Sequence, residues 1–197
     1  MDKAQAELFR QSDPTRTSIQ NTLFMNNQQT KKNPEFLKEV FELNGGTPLR
    51  EALPLSLNQL ATLDLAPWKR IGLNVYDVDK WTINQILQHL IDWERIWCFR
   101  AILFARREGS IPEAHDQEIM GNNSNANERS IDQLVSELKV VRQSTILMFE
   151  SFDQEALETN CVFFEYEMPL YTIGLTITAH QIHHLNIINE RYLPLDK

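Results

Sequence analysis

Three stretches of this chain carry buried-type residues at alternating steps of three and four. Among regular elements, only an α-helix brings such positions onto one face. In the last stretch Ile173, Ile177, His180, His184, Ile187 and Arg191 keep this rhythm. An earlier one runs Ile131, Leu134, Leu138, Val141, Thr145, Met148 and Phe152. Between residues 82 and 107, Ile86, His89, Trp93 and Ile96 do the same. One-sided helices bury their stripes against each other. The predicted fold class is therefore all-α, a four-helix bundle.

Local signals set the expected boundaries. Residues 1–33 are rich in Asn and Gln, lack Trp and Tyr, and are net basic in a chain of net charge −8. They read as an N-terminal helical or flexible extension, with Asp13-Pro14 starting a short helix to Asn26. The bundle domain is placed at 34–197. Asn33-Pro34 starts a helix that Asn44-Gly45-Gly46 stops. Thr47-Pro48 begins the first bundle helix, running to about Asp64, with Leu53, Leu57 and Leu60 inward and Pro54 a bend. Residues 65–80 read as a polar connection in which Ile71, Leu73 and Val75 alternate. The second bundle helix spans about Thr82 to Arg107. Residues 110–129 lack periodicity and read as a loop. Ser130 caps the third helix. Residues 159–168 read as extended, and Pro169 precedes a last helix from about Leu170 to Tyr192.

Composition excludes several functions. An apolar fraction of 42% with four Trp and ten Phe predicts a packed core. A net charge of −8 argues against nucleic acid and against anionic membranes. The apolar runs are short and interrupted, so no membrane span is expected. No signal peptide is visible at the start, and two cysteines, Cys98 and Cys161, are too few for a disulfide framework. A cytoplasmic protein is the expectation.

The histidines carry the chemistry. His180 and His184 are four apart on the last seam, so they stack on one helix face. His89 lies on the seam of the second helix. A buried imidazole without a partner costs about 1–3 kcal/mol, and a shared cation would satisfy three at once. A metal site on His89, His180 and His184 is predicted. His183 points about 100° away and is left out. His115 reads as surface. Asp92, three after His89, is a candidate acceptor for an imidazole N–H, and Asp116 a candidate to orient a water. Asp92, Glu94, Arg95, Arg100, Arg106 and Arg107 otherwise read as a solvated face. Trp81, Trp93 and Trp97 read as core aromatics. A zincin is excluded, because the residue after His180 is Gln181, which cannot act as a general base.

The segment Lys80-Trp81-Thr82-Ile83 through Gln88-His89-Leu90-Ile91-Asp92-Trp93-Glu94-Arg95 resembles the metal-site helix of DinB-like proteins. Phe99-Arg100-Ala101-Ile102-Leu103-Phe104-Ala105-Arg106 continues the likeness. Asp116-Gln117 is similar to the acidic loop that follows. Ala179-His180-Gln181-Ile182-His183-His184-Leu185-Asn186 with Glu190-Arg191-Tyr192-Leu193 resembles the family's last helix. The likeness covers about Phe36 to Leu193.

That resemblance implies helices in up-up-down-down order and a metal between the second and fourth, on His89, His180 and His184. It implies a homodimer, for which Ile91 and Trp97 would supply an apolar outer face. It also implies a small-molecule substrate, taken either by a hydrolase or by a transferase using a low-molecular-weight thiol. Three neutral imidazoles leave an open position and suit Zn, Ni or Fe(II) alike. The competing readings are a non-catalytic bundle clamped by its metal and a metal-free bundle with buried histidines.

Overall fold

A computed structural model describes residues 34–108, 115–163 and 166–196. The predicted leader, with its short helix to Asn26, lies outside the described residues.

Helix α1 (Pro34–Leu43) ends where the sequence predicts. Gly45 and Gly46 take φ values of 59° and 73°, and their N–H groups return to the carbonyls of Glu42 and Phe41. Asn44 is buried and ties this end down, donating to the carbonyls of Val40 and Leu175 and accepting from Thr178 Oγ1. Helix α2 (Leu49–Ala61) follows, with Leu53 and Leu60 buried and Leu57 half-buried.

The connection after α2 is not wholly irregular. Residues Ala66–Ile71 form a short helix, α3. Trp68 and Ile71, one turn apart, are buried beside Leu60, Ile83 and Ile86, whereas Leu73 and Val75 are exposed. The expected alternation fails because a helix this short has no room for a readable period.

Helix α4 (Ile83–Ala105) starts on a capping box. Thr82 Oγ1 accepts from Gln85 N–H, and Gln85 Oε1 accepts from Thr82 N–H. The expected loop at 110–129 contains helix α5 (Gln117–Asn122), capped by Asp116, and a 3₁₀ turn at Ala126–Glu128. Helix α6 (Ile131–Glu150) has the same kind of box between Ser130 and Gln133. After a short helix α7 (Gln154–Glu158), strands β1 (Asn160–Phe163) and β2 (Tyr166–Pro169) pair antiparallel, Cys161 opposite Met168. Helix α8 (Tyr171–Ile187) runs on into a π turn, Ile188–Tyr192, and a 3₁₀ turn around Pro194.

The long helices α2, α4, α6 and α8 form a four-helix bundle. Both α2 and α4 pack against α6 and α8. Their directions differ from the expected order. Along α2 and α8, Leu49 meets Gly174 and Ser56 meets Gln181, so these two run parallel. Along α4 and α6, Arg129 and Glu137 meet Gln88 and Arg95, and Thr145 meets Cys98, so these also run parallel. Across α4 and α8, His89 meets His180 while Trp81 meets Tyr192, which is antiparallel. The order is up-down-down-up, not up-up-down-down. Connections 62–82, 106–130 and 151–170 are all long enough to return along the bundle, so loop length does not reveal which one does.

Two apolar clusters fill the interior. One gathers Leu53, Trp93, Trp97, Phe149, Ile173 and Ile177. The other gathers Leu60, Leu87, Leu90, Leu138, Leu185 and Tyr192. Near where the two clusters meet along each long helix lie buried or half-buried polar residues: Ser56, His89, Glu94, Arg142, His180 and Gln181.

Candidate metal centre

The antiparallel packing of α4 on α8 brings three imidazoles to one point. His89 Nε2 lies 3.0 Å from His180 Nε2, and His184 Nε2 lies 3.0 Å from the same atom. One nitrogen from each residue falls within 4.8 Å of the other two, a grouping able to hold a metal ion. The sequence spacing accounts for half of this. Four residues on α8 stack His184 over His180, as the ring separation of 4.6 Å shows.

Burial fixes the charge state. It pulls the His89 imidazole from 6.5 down to about 4 and that of His184 down to about 3. Burial likewise holds His180 well below 6.5, aided by His184, His89 and the Arg142 guanidinium. All three are neutral at pH 7, the form that binds metal. Such a nitrogen offers one lone pair or one proton, so His180 Nε2 cannot satisfy both contacts along its own axis. Ligand nitrogens around a tetrahedral Zn²⁺, each ~2.0–2.1 Å from the ion, sit ~3.3 Å apart. The donor set therefore fits a divalent cation in type, charge and spacing.

Aromatic residues wall the cluster. Trp81 and Trp93 lie 4.9 and 5.4 Å from the His89 ring, and Trp97 lies 4.9 Å from His180. Helix α5 presses on Trp81. A Cβ on Gly121 would fall 2.8 Å from that indole, so glycine is what lets the two approach. The Tyr192 hydroxyl donates to the Trp81 carbonyl and fixes the loop ahead of α4. Read singly, these tryptophans are core residues, and only the fold aims them at the histidines.

The other candidates make different contacts. Asp92 and Asp116 do not join the group of ligand atoms. Asp92 accepts from Gln88 Nε2 at 2.8 Å, and burial raises its carboxyl above the ordinary range. Asp116 Oδ1 is engaged by the N–H groups of Glu118 and Ile119. His183 is exposed, as expected. His115 is also exposed, with its ring 6.4 Å from Trp93. Gln181 is fully buried and donates to the Ser56 carbonyl and to Gln59 Oε1. Burial pushes the thiols of Cys98 and Cys161 up to about 12, which keeps them protonated and poorly nucleophilic.

Two expectations fail on burial. Glu94 and Arg100 are not part of a solvated face, being 2% and 6% exposed. Glu94 takes two hydrogen bonds from Arg142, Nε to Oε1 at 2.8 Å and Nη2 to Oε2 at 3.0 Å, and one from Thr145 Oγ1 at 2.7 Å. Arg142 also donates to Ser56 Oγ. The signal was present in α6, where Arg142 sits next to the seam residue Val141. Ile91 and Trp97 are buried too, so neither forms an outer apolar face; the exposed apolar residues of α4 are Phe99 and Ile102.

Comparison with known proteins agrees with this architecture. YfiT from Bacillus subtilis, described as a probable metal-dependent hydrolase with an unusual four-helix bundle topology, superposes with a TM-score of 0.56. The match covers 82% of this chain and 90% of YfiT at 15% identity, a likeness of fold. No curated protein sequence matches the chain. The DinB superfamily profile matches residues 49–188, from the start of α2 to the first residue of the π turn. Over that span, which holds all four long helices and all three converging histidines, the chain belongs to the DinB superfamily.

Proposed function

We propose that this protein is a metal-dependent enzyme acting on a small molecule, with one divalent ion held by His89, His180 and His184. The observation that carries the proposal is the convergence of three neutral Nε2 atoms in an aromatic-walled site. A divalent ion there would supply Lewis-acid activation of a water or of a thiol. The chain's own part is to hold three uncharged ligands, leave one side of the set open, and keep bulk water away with Trp81, Trp93 and Trp97. Hydrolysis is the first reading, supported by the description of YfiT. Transfer of a low-molecular-weight thiol is the second, since an open position beside neutral ligands suits a thiolate equally well. A cytoplasmic homodimer completes the proposal; among the described residues no helix is long and apolar enough to cross a membrane.

Elemental analysis of the natively purified protein tests the site. About one equivalent of Zn, Ni or Fe is expected in wild type and none in His89→Ala or His184→Ala. Variants that keep their metal would refute the ligand assignment. Ester and amide panels, run beside thiol-plus-electrophile panels on the loaded protein, separate the two chemistries. A large gain in melting temperature on loading, with no turnover in either panel, would favour a structural clamp.

A further inference from the structure

A cavity of about 180 Å³ opens against the histidine cluster, with His184 on its wall. It is smaller than the ~300–1,000 Å³ of sites for drug-sized ligands, so it fits a metabolite of modest size. Trp81 belongs to both places, lining the cavity and packing on His89. Tyr76 and Tyr192, ring to ring at 5.1 Å, form another aromatic wall. The charged lining residues are Asp79, Lys80 and Glu118. Neither carboxylate accepts a hydrogen bond or ion pair from the described residues, and the Lys80 ammonium donates none. The cavity thus presents two free anions, one free cation and three aromatic rings beside the predicted metal position.

We infer that this cavity is the substrate site and that it takes a small molecule with a protonated amine. The amine sits between the Asp79 and Glu118 carboxylates, and the reacting end points toward His184. Two carboxylates and one ammonium leave a net single negative charge on the lining. Aromatic rings add to that preference, because their faces attract cations. An anionic substrate of the same size would find one ammonium against two carboxylates. The inference rests on the metal-centre reading for where the chemistry happens, but the ligand class comes from the cavity lining alone.

Three probes of similar size and different charge test it: benzylamine, benzyl alcohol and benzoate. Their binding to wild type is followed by calorimetry, with metal content measured on the same samples. Benzylamine is expected to bind most tightly and benzoate least. Glu118→Gln and Asp79→Asn, both at exposed residues, are each expected to weaken benzylamine by roughly 2–5-fold, the effect of losing one exposed charge contact, and to leave benzyl alcohol unchanged. The preference should survive chelation. Equal binding of the three probes, or benzylamine affinity indifferent to both substitutions, overturns the inference; the second result is what direct coordination of the amine to metal would give. An absence of metal in natively purified protein, with the amine preference intact, would instead defeat the metal-centre reading and leave the ligand class standing.

Discussion

Two polar clusters lie in this bundle, and they solve burial in opposite ways. Around Glu94, each polar group meets a complement within the fold: carboxylate with guanidinium, guanidinium with the Ser56 hydroxyl, the Thr145 hydroxyl with carboxylate. Around His180 the same kind of group meets its own kind. Three lone-pair donors face one another, and His184 Nδ1 is buried without a hydrogen-bond partner. A closed network of complements holds helices together. A convergent set of like donors is completed only by a cation or a proton. The difference marks the first cluster as architecture and the second as chemistry.

The largest effect should come from breaking the architectural cluster. Arg142→Ala leaves the Glu94 carboxylate buried and unpaired, and a loss of about 3–5 kcal/mol in urea unfolding is expected. Replacing both residues with Met and Leu together should recover most of it. A double variant as unstable as the single one would mean that the network contributes more than its charges.

Acid should single out the histidine cluster. With folded values of about 4 for His89 and about 3 for His184, against 6.5 unfolded, the unfolded chain binds more protons between those limits. Stability in metal-free protein is therefore full above pH 6.5 and falls as pH drops toward 4, by about 3 kcal/mol from His89 alone. Denaturant titrations from pH 7 to 4 should show this slope, and His89→Gln should make it shallower, leaving the part due to His184. A wild-type curve with no slope would break the contrast between the clusters.

Ligand removal acts on function rather than fold. His184→Ala should reduce zinc affinity by more than ~100-fold, beyond the ~10–100-fold typical of losing an outer partner of a ligand. Its helical circular dichroism should match wild type, unlike that of Arg142→Ala in the same urea concentration. Competition with a zinc chelator gives the affinity.

The smallest effect is expected at the wall between cavity and metal centre. Gly121→Ala puts a methyl within 2.8 Å of the Trp81 indole. Trp81 is half-buried and its side chain can yield, so a cost of about 1 kcal/mol is expected, at the low end for overpacking. Trp fluorescence should change and zinc affinity fall modestly. Unchanged fluorescence would show that α5 does not set the indole.

Much of this was legible in the sequence. The capping signal at Ser130 fixed where one long helix begins, because a cap is a local bond between residues three apart. The three-four rhythm put His180 and His184 on one inward face. Other parts were not legible for physical reasons. Helices α3 and α5 are too short to show a period. Helix direction depends on which connection crosses the bundle, and all three are long enough. Glu94 looks like a solvent-facing charge until Arg142 and Thr145 of α6 meet it.

Sequence alone therefore determined the long helices, their apolar seams and the identity of three inward imidazoles, since these follow from local geometry and hydrophobic spacing. Only the tertiary structure decided that His89 meets His180 at 3.0 Å, that three tryptophans enclose them, and that Glu94 finds Arg142 rather than water. Each of those contacts joins residues from different helices. Their energy depends on register and direction, which no single helix encodes.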